Sequence, residues 1–143
     1  MPEQTHSSII IAAAPGPIMA TIADVESYPE WVPGLDHVSA DGVDADGRPL
    51  AATFHGTLGL TRGSYSVAYD WADSEVSWHR TEGDALKDLH GTYICTDRGD
   101  GTTEVEYRLD VELAIPVVGM IRRKGEKVIV DSALKGLKKR VEG

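Results

Sequence analysis

Aromatic side chains with polar ends are the residues of this sequence best suited to chemistry. In the stretch 64–71 alternation typical of a strand puts one set of side chains on a single face: Tyr65, Val67, Tyr69 and Trp71. Val76, Trp78 and Arg80 continue that pattern on the next predicted strand. Tyrosine and tryptophan bury a large area while keeping a hydrogen-bonding atom. This face therefore suits either a packed core or a ligand cavity.

Arg80 is the charged member of this face. A buried guanidinium needs a partner, and the polar head of a ligand could be one. The alternatives are a salt bridge at the edge of the cavity, or simple exposure near Gly83, where the predicted strand ends.

Other aromatic residues could reach the same space. Tyr93 and Tyr107 lie on later predicted strands, and Tyr28 and Trp31 close a predicted pair of short helices. Each could contact a ligand, the last two as the wall of a lid, while packing in the core is the alternative role. The predicted ligand-binding residues are Tyr28, Trp31, Tyr65, Tyr69, Trp78, Arg80, Tyr93 and Tyr107.

No motif for a metal, a cofactor or a nucleophile is present in the sequence. The five histidines lack metal-ligand spacing, and no HExxH or Cys/His cluster accompanies them. The glycines are scattered at turns rather than gathered in a phosphate-binding loop, and there is no GxSxG elbow. Cys95 is expected to be a small buried hydrophobe. We therefore expect no metal and no cofactor, and we assign no catalytic residue.

Positioning the aromatic residues requires a sheet of short strands. Turn dipeptides such as Asp46-Gly47 and Gly83-Asp84 divide the middle of the chain into alternating segments typical of an antiparallel meander. The predicted strands cover residues 5–12, 37–44, 48–57, 60–71, 75–82, 87–97 and 102–113. Residues 105–113 alternate apolar with charged side chains, which predicts a sheet with one face in water.

Two short helices are predicted after the first strand. Pro17 begins one whose buried face carries Ile18, Ile22 and Val25. A second helix is predicted to begin at Pro29 and to end at Pro33-Gly34.

A long helix is predicted at the end of the chain, over residues 116–142, with Pro116 as its first residue. At ~100° per residue, the apolar side chains before and after Gly125 fall on different sides. Two interpretations follow. Either residues 117–121 form a mobile gate at a cavity mouth with Gly125 as its joint, or the helix breaks at Gly125 to follow the curvature of the sheet.

Composition and charge limit the function further. With 143 residues the chain is expected to form one domain over 1–143, and its single cysteine favours a cytoplasmic setting. The sequence has no basic leader and no long apolar run. We therefore expect neither a signal peptide nor an integral membrane segment. The net charge of −9 disfavours nucleic-acid binding.

Residues 116–143, however, carry eight bases and three acids. They form either a solvated face or a patch for transient membrane or homodimer contact.

Two stretches of the sequence resemble a known family. They are SIIIAAAPGPIMATIADVESYPEWV (Ser8–Val32) and IRRKGEKVIVDSALKGLKKRVE (Ile121–Glu142). With the order of strands between them, they are similar to actinobacterial-type members of the START-like (SRPBCC) polyketide cyclase/dehydrase and lipid-transport superfamily. The resemblance implies an α+β helix-grip fold, in which a curved seven-stranded antiparallel sheet wraps the C-terminal helix around an apolar cavity.

The resemblance implies two functions. The first is binding of a small hydrophobic ligand, such as a lipid, isoprenoid or polyketide, without a cofactor. The second is polyketide aromatase/cyclase-dehydrase activity on a chain held in the cavity. Cyclases of the family place an arginine on the central strand and a tyrosine after the second short helix. The corresponding positions here are Ser66 to Ala68 and Leu35 to Asp36.

Overall fold

The protein is an α+β structure built on one antiparallel sheet, as predicted. The computed structural model describes residues 4–58, 61–84, 86–114 and 117–143. Its strands are β1 (Thr5–Ile11), β2 (Leu35–Val43), β3 (Pro49–Leu58), β4 (Thr61–Trp71), β5 (Glu75–Glu82), β6 (Leu86–Asp97) and β7 (Thr103–Leu113). Its helices are α1 (Pro15–Ala23), a 3-10 helix (Val25–Glu30) and α2 (Gly119–Glu142). The predicted start of one strand at residue 60 lies outside the described residues.

The sheet has the strand order β1-β7-β6-β5-β4-β3-β2. Strands β2 to β7 pair in sequence as hairpins, whereas β1 pairs with β7, so that Ser7 lies opposite Tyr107. The sheet curves around α2, which packs chiefly on β1 and β7. This is the predicted helix-grip arrangement, and its concave face is the one that carries the aromatic side chains.

The core lies between the concave face of the sheet and one side of α2. Strand β7 buries every second side chain, as its alternation predicts: Thr103, Val105, Tyr107, Leu109, Val111 and Leu113. From α2 the buried apolar side chains are Val130, Ala133, Leu134 and Leu137. Burial of apolar surface at ~25 cal/mol per Å² supplies most of the energy that holds the helix on the sheet.

The two short helices differ from the prediction in where they begin. α1 starts at Pro15 rather than at Pro17, and it buries Ile18 and Ile22 as expected. The second helix starts at Val25, directly after α1, and contains Pro29 instead of restarting there. Pro29 is tolerated because a 3-10 helix of six residues demands few backbone donors. Val25 is buried as predicted, although it belongs to this second helix.

α2 runs from Gly119 to Glu142 without interruption, so the predicted break at Gly125 is wrong. The next residue, Glu126, explains the continuity. Its buried carboxylate accepts hydrogen bonds from the Thr5 hydroxyl and the Val111 amide, each at 2.7 Å, and so ties this turn to the sheet. The predicted start at Pro116 lies outside the described residues. Movement of residues 117–121 stays a prediction.

Candidate functional site

A cavity of about 270 Å³ lies between the concave face of the sheet, the segment after the 3-10 helix and α2. Most of its lining is apolar or aromatic. The lining residues are Tyr28, Val32, Pro33, Gly34, Leu35, Phe54, Thr57, Tyr65, Tyr69, Trp78, Tyr93, Tyr107, Val128, Ile129, Ser132 and Ala133. Among these described lining residues there is no charged side chain. The cavity is close to the lower end of the size range typical of small-molecule sites, about 300 to 1,000 Å³.

All five tyrosines of the chain line this cavity. Strand alternation explains the convergence, because each tyrosine on the sheet sits at an inward position of its own strand. Tyr65 and Tyr69 come from β4, Tyr93 from β6 and Tyr107 from β7. The fifth, Tyr28, reaches in from the 3-10 helix.

Only Tyr28 among these phenols has a protein partner in the described part of the chain. Its hydroxyl donates to the carbonyl oxygen of Ile22, which fixes the 3-10 helix to the end of α1. The hydroxyls of the other four make no hydrogen bond to described residues. Their hydroxyl oxygens are not among the fully buried unpaired atoms of the described residues, so they open onto the cavity that these tyrosines line. Four phenol donors are therefore available to whatever occupies the cavity.

Burial keeps these phenols neutral. Desolvation raises the pKa of Tyr28, Tyr69 and Tyr107 well above the ordinary value for tyrosine, and the neighbouring phenols raise it further. Desolvation also raises the pKa of Tyr65 and Tyr93. At neutral pH the cavity thus offers hydrogen-bond donors without charge.

The aromatic rings form a connected cluster on the floor of the cavity. The ring centroids of Tyr93 and Tyr107 are 4.5 Å apart, and Trp78 lies 5.5 Å from Tyr93 and 5.8 Å from Tyr107. Tyr69 extends the cluster at 6.1 Å from Trp78. Such offset and edge contacts are favourable for aromatic pairs and hold the rings in fixed positions.

Trp78 owes its position to a glycine on the neighbouring strand. It pairs with Gly91, and a β-carbon built on Gly91 would lie 2.2 Å from the indole atom Cε2. Only glycine leaves room for an indole to lie across β6 at this point. The sequence pattern identified Trp78 but not the glycine that makes its placement possible.

Six of the eight predicted site residues line the cavity, and the other two lie beside it. Trp31 packs edge-on against Tyr28, with ring centroids 4.9 Å apart. It also fills the space above Gly136 of α2, where a β-carbon would lie 2.3 Å from the Trp31 carbonyl oxygen. Its Nε1 atom is buried without a partner among the described residues. Trp31 therefore joins the 3-10 helix to α2.

Arg80 turns away from the cavity toward the end of its own strand. Its Nε and Nη2 atoms donate to the carbonyl oxygen of Gly83 at 3.2 and 2.8 Å. The pairing of β4 with β5 shifts register between Ser66 and Val67, next to this arginine. The guanidinium thus finds its partner in the backbone of the adjoining turn.

Several lining residues were not singled out from the sequence. Phe54 lies opposite Tyr65 in the β3–β4 pairing, and their rings stack at 5.2 Å. Its inward position follows from alternation along β3, so this residue could have been found. Leu35 and Ser132 line the cavity from β2 and α2, segments almost a hundred residues apart, and no local pattern predicts that both reach it.

Neither α1 nor α2, the α-helices of the described residues, has the length and apolar character needed to span a bilayer.

Cys95 is buried, and burial raises the pKa of its thiol to about 11. It is therefore a packed thiol rather than a nucleophile at neutral pH.

Comparison with known proteins agrees with this fold. A family model described as polyketide cyclase / dehydrase and lipid transport matches residues 3–142. A START superfamily protein from Mycobacterium smegmatis is 22% identical, with a TM-score of 0.89 over 99% of this chain and 98% of that one. A protein from Thermus thermophilus is 21% identical, with a TM-score of 0.81 over 97% of each chain.

An enzyme structure also shares the fold. The Zhui aromatase/cyclase of Streptomyces sp. R1128 is 12% identical, with a TM-score of 0.76 over 97% of this chain and 93% of that one. A search of the curated proteins finds no match to the sequence. Because the family model extends over nearly all of the chain and the sheet, helix and cavity agree with it, the protein belongs to the polyketide cyclase/dehydrase and lipid-transport family.

Proposed function

We propose that the protein binds a small uncharged hydrophobic molecule, such as a lipid, isoprenoid or polyketide, in the cavity between the sheet and α2. The observation that carries this proposal is a cavity lined by five tyrosines and Trp78 with no charged side chain among its described lining residues. A carboxylate or ammonium group would be desolvated there without a counter-charge, which is strongly unfavourable.

The unpartnered phenols narrow the ligand class. Burial of apolar ligand surface would supply the driving force. The hydroxyls of Tyr65, Tyr69, Tyr93 and Tyr107 would donate hydrogen bonds to ligand oxygens, since burial keeps them protonated. A ligand with several carbonyl or hydroxyl oxygens on an apolar or aromatic skeleton would satisfy both requirements.

The proposed contact residues are the six predicted ones that line the cavity, together with Phe54. Trp31 and Arg80 would support the site from outside, through Tyr28 and through the turn at Gly83. We further propose that residues 1–143 act as one cytoplasmic domain that receives its ligand through transient contact with a membrane or a second copy.

A second candidate is polyketide cyclase/dehydrase activity in the same cavity. The close pair of Tyr93 and Tyr107 favours it, because two neutral phenols could polarise carbonyl groups of a folded chain. However, their raised pKa values keep both phenols protonated at neutral pH, so neither is available to accept a proton as a general base. Without an identified base, binding is better supported than catalysis.

The test is binding of an uncharged fluorescent probe, Nile red, combined with native and denaturing mass spectrometry of the purified protein. We expect the probe to bind, or a co-purified apolar compound to be displaced by it. Ser132→Phe should fill the cavity and abolish binding, whereas Lys135→Phe, at an exposed position of the same helix, should leave it intact. Equal probe binding by the two variants would contradict the proposal.

A further inference from the structure

The first half of α2 and the residue before it expose large apolar side chains to solvent. Among the described residues six large hydrophobic side chains are exposed, and four of them lie in this short stretch. They are Val118 at 69%, Met120 at 72%, Ile121 at 48% and Val128 at 64% exposure. Scattered exposed apolar residues are normal in proteins, but a group of this kind on one element indicates a contact surface.

Basic side chains lie next to these apolar ones. Arg123, Lys124 and Lys127 line a shallow groove together with Val118, Met120 and Thr5. Lys127 is paired with Asp131 at 3.0 Å, whereas Arg123 and Lys124 make no ion pair with other described residues. The chain as a whole has a net charge of −9. Positive charge is therefore concentrated on a face of an otherwise acidic protein.

The order of side chains around the helix links this face to the cavity. At ~100° per residue, the side chains met in turn around the axis of α2 change from basic ones, through exposed apolar ones, to those that line the cavity. In that order the residues are Arg123, Lys127, Met120, Asp131, Lys124, Val128, Ile121, Ser132, Gly125 and Ile129, where the acid Asp131 is paired with Lys127. Val128 belongs to both groups, because it is exposed and also lines the cavity. The apolar strip thus leads directly to the cavity wall.

We propose that this surface docks on an anionic lipid bilayer. We call it the docking face and define it by Val118, Met120, Ile121, Arg123 and Lys124, with Val128 at its cavity edge. A helix with apolar side chains flanked by lysine and arginine is suited to lie in the plane of a membrane interface, where the apolar groups enter the acyl boundary and the bases meet lipid phosphates.

Charge favours a bilayer as the occupant over a second copy that meets this face with its own, because Arg123 and Lys124 of the two copies would repel each other. Most of the molecule is acidic and is repelled by an anionic surface, so the basic side of α2, which includes the docking face, approaches it most favourably. Docking would consequently turn the cavity edge at Val128 toward the lipid. Docking itself does not depend on the proposed function, whereas transfer of a ligand from the bilayer rests on it.

The test is co-sedimentation of the full chain with phosphatidylcholine vesicles, with and without phosphatidylglycerol. We expect binding only to vesicles that contain the anionic lipid, and weaker binding at high salt. In Arg123→Gln/Lys124→Gln the affinity should fall about 25-fold, since each base near an anionic surface is worth about 1 kcal/mol, or about fivefold. Arg98→Gln/Lys87→Gln makes the same change of charge elsewhere and should bind as the wild type.

A second variant tests the apolar part. Met120→Gln keeps the charge and the length of the side chain, so it should weaken vesicle binding at low and at high salt alike. Equal binding of the wild type to both kinds of vesicle would overturn the proposal. Wild-type vesicle affinity in both docking-face variants would overturn it too. So would a homodimer or a complex with an acidic protein that uses this face in the absence of vesicle binding.

The same variants separate docking from ligand binding. The docking-face variants should still take up Nile red in the absence of vesicles, while Ser132→Phe should bind vesicles without taking up the probe. If the wild type fails to dock yet binds the probe, the docking proposal falls together with delivery from a membrane, and the proposed ligand binding stands. If the wild type docks yet takes up no probe and carries no apolar compound, the proposed function falls and the docking face stands.

Discussion

Trp78 lies across Gly91 so closely that any β-carbon at that position would enter the indole ring. The contact joins β5 to β6 beneath the cavity, at a point where the two residues face each other in register. One glycine thereby sets the position of the largest aromatic side chain in the proposed site.

Gly91→Ala should displace Trp78 and disturb the aromatic cluster. Forcing one extra carbon into a packed contact typically costs about 1–3 kcal/mol of the free energy of unfolding. We expect that loss in urea denaturation, together with weaker Nile red binding. The control is Gly16→Ala, because no atom lies within 4 Å of the added carbon there. Wild-type stability and probe binding in Gly91→Ala would show that the indole is not held by this contact.

Tyr28 and Tyr107 should differ in what their hydroxyls do. Tyr28→Phe removes the bond to the Ile22 carbonyl oxygen and should lower the free energy of unfolding by about 1 kcal/mol. Tyr107→Phe removes a hydroxyl with no partner among the described residues, so stability should change by less than about 0.5 kcal/mol while the affinity for an oxygenated ligand falls. Chemical denaturation and ligand titration of both variants measure this. A larger stability loss in Tyr107→Phe than in Tyr28→Phe would contradict the assignment.

The stability of the protein should fall steeply above pH 10. Burial raises the pKa of every tyrosine in the fold, so the unfolded chain releases these protons at a lower pH than the native protein does. Stability is therefore complete below the unfolded pKa of about 10 and is lost as pH rises beyond it, by about 1.4 kcal/mol per pH unit for each tyrosine concerned.

Tyrosinate absorbance and circular dichroism followed together against pH check this expectation. The two signals should change in one transition, because the folded protein keeps these phenols protonated to a higher pH than the unfolded chain does. Tyr93→Phe should make the transition less steep. Tyrosinate that forms near pH 10 in a still folded protein would mean that the phenols are in contact with water.

The side chain of Glu126 should contribute more to the free energy of unfolding than any exposed carboxylate of the chain. Glu126→Ala leaves the Val111 amide and the Thr5 hydroxyl without their acceptor, which should cost about 1–3 kcal/mol. Glu126→Gln keeps an acceptor oxygen and should cost less. Hydrogen exchange at the Val111 amide should accelerate in the alanine variant, with Glu112→Ala on the exposed face of β7 as the control. An unchanged exchange rate would rule out this anchor.

Much of the sheet could be predicted because strand alternation is a local property. β5 has the predicted bounds, and the inward positions of Tyr65, Tyr69, Tyr93 and Tyr107 follow from a period of two along each strand. Their part in ligand binding stays a prediction. Phe54 obeys the same rule on β3 and could have been included.

The differences arise where contacts outside the strand and helix periodicity decide the outcome. The helix continues through Gly125 because Glu126 binds groups on β1 and β7, which no pattern within α2 reveals. Arg80 bonds to the carbonyl oxygen of Gly83, and that contact depends on the turn geometry and on the register shift in β4. The space above Gly136, filled by Trp31, likewise exists only once the 3-10 helix meets α2.

The pairing of β1 with β7 also has a consequence for folding. Ser7 and Tyr107 meet across roughly a hundred residues of chain, so this edge of the sheet can close only after the hairpins from β2 to β7 have formed or brought it near. Until then the tyrosine-bearing face lacks both β1 and α2. The cavity is thus among the last features to form, and a nascent chain would expose this aromatic face until α2 has emerged from the ribosome.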